Sequence, residues 1–107
     1  MRVLLDECLP RRLAQEIVGH DVATVADVGW SGALNGDLIR RASWLFDAFV
    51  TVEQGLAGQQ HLVAEADSLA VFLLAAPTCR VDALRELVPN LQRALDAPRA
   101  GKVVSID

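Results

Sequence analysis

Runs of apolar residues divide this chain into five short segments that predict β-strands. Each run is short, and most lack the alternation of apolar and polar residues that a strand with one wet face shows. Continuous apolar runs of this kind are typical of strands buried on both faces of a parallel sheet. The predicted strands are residues 2–5, 22–25, 47–52, 69–74 and 103–106.

The segment between the first two predicted strands has the spacing of a helix. Pro10 suits a first helical turn because its missing N–H would have no partner there. Gly19 is a plausible stop, since glycine often follows the last helical residue. The apolar positions of this helix are Leu13, Ala14, Ile17 and Val18.

Two further helices are predicted between the later strands. One begins near residues 35–37, and its apolar stripe is Leu38, Ile39, Ala42, Leu45 and Phe46. The other begins near Asp82, which can cap it. Pro89 should kink or split that second helix, because proline lacks an N–H and clashes with the preceding turn. Residues 54–66 have irregular periodicity and predict a loop with a short helix.

Alternating strands and helices with short connections predict one α/β domain over residues 1–107. The expected architecture is a three-layer α/β/α sandwich with a mainly parallel sheet of about five strands. In such sheets, binding sites lie beyond the carboxyl ends of the strands. Candidate chemistry is therefore sought where each strand ends.

Composition narrows the class of protein. The 52% of hydrophobic residues suffices for a core, which argues against disorder. A net charge of −4 argues against a protein that coats nucleic acid with a broad basic face, but not against an enzyme that acts on it. The longest apolar run, residues 69–77, is far shorter than the ~20 residues that span a bilayer.

A cytoplasmic protein is the default expectation, because the N-terminal residues show no apolar signal region. Cys8 and Cys79 do not suggest a disulfide framework, and both are expected to be buried small hydrophobic residues.

Three acidic residues lie where successive segments end. Asp6 follows the first strand, Asp37 opens a helix, and Glu53 follows the third strand. In a parallel sheet they would converge on one edge, where clustered carboxylates repel one another unless a cation lies between them. Each residue also has a simpler interpretation: backbone hydrogen bonds for Asp6, pairing with Arg40 or Arg41 for Asp37, and solvation for Glu53.

The ordered motifs resemble those of short PIN-like domains, which are related to the ribonuclease toxins of bacterial toxin–antitoxin pairs. The similar segments are residues 3–10 (VLLDECLP), 19–22 (GHDV), 35–39 (NGDLI) and 49–53 (FVTVE). The resemblance covers nearly the whole chain. It implies a Mg²⁺- or Mn²⁺-dependent endoribonuclease that acts on RNA, with an antitoxin-type protein partner and a frequent homodimer. Asp6, Asp37 and Glu53 would be its catalytic metal ligands.

The third predicted ligand position departs from the family pattern. Glu53 stands where the family usually has aspartate, and Gly55 stands where a second aspartate often follows. This departure supports an alternative, a catalytically degenerate PIN-like binding module. A phosphoacceptor signalling domain is a weaker alternative, because the third strand ends without an acceptor aspartate and Lys102 precedes the last strand.

Three other features add candidates around this edge. Thr51 resembles the hydroxyl residue that the family carries near the third predicted ligand position. A threonine in a strand can also be an ordinary structural residue with no part in the site. Glu7 is expected to be a structural or outer acid. Arg40, Arg41 and Trp44 share the non-core face of their helix, where they would suit either a dimer surface or an RNA contact.

Overall fold

A computed structural model describes residues 1–52, 68–76, 78–98 and 100–107. The strands are β1 (Arg2–Leu5), β2 (Asp21–Thr24), β3 (Ala48–Thr51), β4 (Ala70–Leu74) and β5 (Val103–Ile106). The helices are a 3-10 helix (Arg11–Glu16), α1 (Asn35–Leu45), α2 (Val81–Arg85) and α3 (Val88–Leu95). Residues 54–66, predicted as a loop with a short helix, lie outside the described residues.

The described strands form one sheet in the order β2-β1-β3-β4-β5, and every neighbouring pair is parallel. Leu5 at the end of β1 is in register with Thr24 of β2 and Val50 of β3. Because all the strands point the same way, their carboxyl ends share one edge of the sheet, called here the C-terminal edge. The predicted three-layer α/β/α fold with a parallel sheet is confirmed.

Successive side chains along each strand point to opposite faces of the sheet, so each central strand supplies both cores. Leu4, Phe49 and Val71 face α1 and pack with a buried set that its apolar stripe provides. That set is Leu38, Ile39, Ala42 and Phe46. Leu45, predicted to share the stripe, is instead 49% exposed.

The opposite face of the sheet packs against the 3-10 helix, α2 and α3. Leu5, Val50 and Phe72 from the strands belong to this core. They meet Leu13, Leu84 and Leu91 from the three helices, each of which has no exposed surface. Both faces of the central strands are therefore dry, which explains why their sequences read as continuous apolar runs.

The first predicted helix differs from the structure. It is a 3-10 helix, and the chain leaves it at Ile17 in an extended conformation. Val18, predicted on the apolar face, is 69% exposed. Its backbone N–H and C=O instead bond to the Gln92 side chain of α3, at 2.6 and 3.1 Å. Gly19 turns the chain toward β2 with φ of 83°, a conformation that favours glycine.

The predicted helix after β4 is split into α2 and α3, as expected from Pro89, which lies in the first turn of α3. The predicted cap, Asp82, is wrong. It lies inside the first turn of α2, and no side chain caps that helix. Its carboxylate lies 3.6 Å from the Arg80 guanidinium instead. None of the helices in the described part of the chain has the length and apolar character needed to cross a bilayer.

Candidate functional site

Asp6 lies at the C-terminal edge, directly after β1. Its backbone N–H donates to the Val50 carbonyl at 2.9 Å, which extends the pairing of β1 with β3 by one residue. Its carboxylate oxygen Oδ1 accepts the Glu7 backbone N–H at 2.8 Å. The other oxygen, Oδ2, accepts the Thr51 hydroxyl at 2.6 Å and is approached by the Cys8 thiol at 3.8 Å. The half-buried carboxylate is thus held in one orientation.

Thr51 reaches Asp6 because β1 and β3 are neighbours in the sheet. It is the last residue of β3 and has no exposed surface. Its hydroxyl donates to a carboxylate that comes from a position far away in the sequence. Such charge-assisted hydrogen bonds are shorter and stronger than neutral ones. The Thr51 hydroxyl therefore orients the Asp6 carboxylate.

Replacing Thr51 by valine is expected to lower the free energy of unfolding by about 1–2 kcal/mol. Valine fills the same volume but cannot donate to Asp6, and hydrogen bonds to charged groups contribute in this range. Urea denaturation followed by circular dichroism measures the effect. Thr51→Ser, which retains the hydroxyl, should keep the hydrogen bond. Equal losses in both variants would show that packing rather than hydrogen bonding accounts for them.

Glu7 contributes to this edge by holding a loop. Both of its carboxylate oxygens lie 3.3 Å from the Gly32 backbone N–H, in the connection between β2 and α1. Gly32 has φ of 84°, a conformation that favours glycine. The geometry agrees with the prediction of a structural acid.

Asp37 lies in the first turn of α1, where the helix dipole favours an acidic residue. Its carboxylate pairs with Arg40 at 3.1 Å and approaches Arg41 at 4.0 Å. These are the ion pairs that the simpler interpretation of Asp37 predicted. Its side chain is 56% exposed, so the pairing is loose and open to solvent.

The third predicted ligand, Glu53, lies outside the described residues. Within residues 1–52, 68–76, 78–98 and 100–107, no group of three or more His, Cys, Asp or Glu side chains is arranged to hold a metal ion. The described part of the site therefore consists of one well-oriented carboxylate, Asp6, with its hydroxyl and thiol neighbours. Asp37 is engaged by arginines.

Asp27, which is not among the residues singled out from the sequence, is held by hydrogen bonds near the end of β2. Its carboxylate accepts the Thr24 backbone N–H at 3.1 Å, and its own N–H donates to the Thr24 hydroxyl at 3.0 Å. It also pairs with Arg11 of the 3-10 helix. The sequence carries a signal for this, because a hydroxyl residue followed three positions later by an acid is the pattern of a reciprocal cap.

The hydrogen bonds from Thr24, with a smaller contribution from Arg11, hold the pKa of Asp27 below its ordinary value of 3.8. A depressed pKa means that the ionised group stabilises the folded state above the pKa of the unfolded chain. We therefore expect Asp27→Asn to destabilise the protein at neutral pH. The deficit should shrink as the pH falls below about 4, because the unfolded-state pKa of aspartate is ~3.9, and vanish once the pH passes the lower folded-state value.

Urea midpoints of wild type and Asp27→Asn between neutral and acidic pH measure this dependence. Asp21→Asn is the matched control, since the Asp21 side chain is 82% exposed and its carboxylate lies 4.0 Å from the Arg2 guanidinium. A deficit of the same size at every pH would contradict the assignment of the effect to the charge on Asp27.

The prediction that Cys8 and Cys79 are buried is wrong. Both residues are exposed, and both have free thiols. The surroundings of the Cys8 thiol nevertheless raise its pKa to about 11, chiefly because protein atoms shield the sulfur from water and also because Asp6 and Cys79 lie nearby. Hydrogen bonds with the Val52 backbone and with Thr51 lower the pKa, but the effects that raise it are larger in sum. The Cys8 thiol is thus part of the same cluster as Asp6 and Thr51.

Comparison with protein-family models, curated proteins and solved structures finds no match to this chain. The similarity to PIN-like domains therefore stays a resemblance of motifs.

Proposed function

We propose that this chain is a metal-dependent ribonuclease of the PIN-like kind. The observation that carries the proposal is the Asp6 carboxylate at the C-terminal edge of a parallel sheet. It is half-buried, and both of its oxygens accept hydrogen bonds from groups on two different segments. Metal-binding carboxylates are typically oriented in this way by outer hydrogen-bond partners.

Hard oxygen ligands of this type suit Mg²⁺ or Mn²⁺, which would activate water and neutralise charge on a phosphodiester. Asp6 would be the central ligand, with Asp37 and Glu53 as the other two. Thr51 and the Glu7 backbone N–H would fix the direction of the Asp6 carboxylate. Glu7 itself would hold the connection before α1 through Gly32.

Asp37 must release its arginines to serve as a ligand. Exposed ion pairs of this type contribute only ~0–1 kcal/mol, so their loss is a small obstacle. The helix N-terminus that favours the Asp37 carboxylate contributes a similar ~0.3–1 kcal/mol. Freed Arg40 and Arg41 would then be available to phosphate oxygens of an RNA substrate.

The protein partners are part of the same proposal. An antitoxin-type protein would restrain the nuclease by covering the C-terminal edge. A second copy of the chain would pack on α1, where Trp44 is 72% exposed and Leu45 is 49% exposed. Aromatic residues and arginine are enriched in such interfaces.

The test combines metal binding with RNA cleavage by the purified chain. We expect Mn²⁺ to give saturable heat in a calorimetric titration. We also expect cleavage of labelled single-stranded RNA that depends on Mn²⁺ and stops when a chelator is added. Cleavage that persists with chelator would point to a contaminating nuclease. The absence of Mn²⁺ binding would overturn the proposal.

A second candidate is a PIN-like binding module without nuclease activity. The pairing of Asp37 with Arg40 and Arg41 favours it, because this carboxylate already has cationic partners. A module of this kind needs no metal. Retained binding of a protein or RNA partner by a chain that neither binds Mn²⁺ nor cleaves RNA would support it over the nuclease.

A further inference from the structure

The two outermost strands of the described sheet, β2 and β5, differ in how their outer backbone groups are satisfied. In β2, the N–H groups of Asp21 and Val25 donate toward β1, so the backbone groups of Thr24 point away from β1. The Thr24 N–H donates to the Asp27 carboxylate at 3.1 Å, and its C=O accepts the Val28 N–H at 3.3 Å. The chain's own groups thus close the outer side of β2 where that strand ends.

The outer side of β5, the side away from β4, has a different character. N–H groups from β4 and from the residue after it donate to the C=O groups of Lys102 and Ile106, at 3.1 and 2.8 Å. Because backbone groups alternate in direction along a strand, the N–H and C=O groups of Val103 and Ser105 point away from β4. Among the described strands, only β4 pairs with β5.

The side chains of β5 suit the addition of another strand. Val103 and Val104 are half-buried, and they pack against opposite cores of the domain. The strand itself, Val103–Ile106, contains no proline and no charged residue, which are common means of blocking the outer strand of a sheet. An extended segment placed beside β5 would gain backbone hydrogen bonds and would cover both valines.

We propose that the outer side of β5 binds β5 of a second copy of this chain in antiparallel orientation, which joins the two sheets into one. A two-fold axis passes beside Val104. Val103 of each copy forms a hydrogen-bonded pair with Ser105 of the other copy, so every outward group of these two residues gains a partner. The two Val104 side chains meet at the axis as a non-hydrogen-bonded pair, where side chains approach most closely.

Neighbouring registers use the outward groups less well. An axis beside Val103 pairs Ser105 with Gly101, whose N–H already donates to a carbonyl before β4 at 2.8 Å. An axis beside Ser105 pairs Val103 with Asp107, whose C=O already accepts the Asn90 side chain at 2.6 Å. The register centred on Val104 is the one in which the paired outward groups have no such competing bonds.

The charges that flank β5 favour the same occupant. Lys102 precedes the strand and Asp107 follows it, so the two ends of β5 carry opposite charges. Antiparallel pairing of two copies brings Lys102 of each copy opposite Ile106 of the other, next to its Asp107. Opposite charges across a strand pair are stabilising, whereas like charges are destabilising. The segment is thus complementary to itself in charge as well as in hydrogen bonding.

Sedimentation velocity of the full chain over a range of concentrations tests the proposal. We expect wild type to associate through β5 and Ser105→Pro to associate at least ~10-fold more weakly, because the substitution removes the same hydrogen bond twice in a symmetric dimer. The N–H that proline lacks points away from β4, so the folded monomer should persist. Ser105→Ala, which keeps the N–H, is the matched control and should associate as wild type does.

Trp44→Ala distinguishes this contact from the α1 surface, because Trp44 does not belong to β5. Association that survives Trp44→Ala and is lost in Ser105→Pro supports the proposal. A wild type that stays monomeric, or association that Ser105→Pro leaves unchanged, would overturn it.

Hydrogen exchange on wild type gives a measurement that needs no variant. The Ser105 amide should exchange more slowly as the protein concentration rises, since its N–H is paired only in the dimer. Exchange that is independent of concentration would overturn the proposal even if Ser105→Pro failed to fold. The contact involves neither Asp6 nor a metal ion, so its failure leaves the proposed nuclease untouched, and the absence of Mn²⁺ binding leaves the contact untouched.

Discussion

Replacing Asp6 by asparagine is expected to abolish Mn²⁺-dependent RNA cleavage and to weaken Mn²⁺ binding severely. Asparagine keeps the size. Its amide oxygen can still accept the Glu7 backbone N–H, and its NH2 group can donate to the Thr51 hydroxyl oxygen, so the fold should persist. The anionic ligand is lost. Changes to the outer partners of a metal site typically cost ~10–100-fold, and loss of the ligand itself should exceed this.

The measurement compares initial cleavage rates and calorimetric Mn²⁺ titrations for wild type and Asp6→Asn. Asp21→Asn is the control, because it removes the same charge from an aspartate at the start of β2, away from the C-terminal edge. It should behave as wild type. Undiminished cleavage by Asp6→Asn would rule out Asp6 as the central ligand. An equal loss in Asp21→Asn would assign the effect to overall charge.

Most of the sheet could be predicted from the sequence because its strands are buried on both faces. The structure places each strand within one residue of its predicted bounds at either end. The first helix was less predictable. Apolar spacing cannot tell an α-helix from a short 3-10 helix, and it cannot foresee that the Val18 backbone bonds to the side chain of Gln92.

Contacts between site residues could be predicted only where the positions of the strand ends determine them. Asp6 and Thr51 meet because β1 and β3 are neighbours, and the strand-end rule for parallel sheets anticipates that meeting. The approach of Cys8 to Asp6 depends on how the chain turns after β1, which no periodic pattern encodes. The salt bridge of Asp27 with Arg11 likewise joins two connections whose paths are determined by packing.

Replacing Phe72 by alanine should lower the free energy of unfolding by about 3–5 kcal/mol, the usual range for removing a buried aromatic side chain. Phe72 lies in the middle of β4, is 1% exposed, and belongs to the core under the 3-10 helix, α2 and α3. Neighbours from a sheet and several helices cannot collapse freely into the cavity. Since small domains are stable by ~5–15 kcal/mol, this single change removes a large share.

Trp44→Ala is the matched aromatic control for Phe72→Ala. The Trp44 side chain is 72% exposed on α1, so its removal should change stability by no more than ~0.5 kcal/mol. Urea denaturation followed by circular dichroism compares both variants with wild type. A small loss for Phe72→Ala would contradict the described core. A large loss for Trp44→Ala that grows with protein concentration would instead show that α1 packs against a second copy, because only association makes stability depend on concentration.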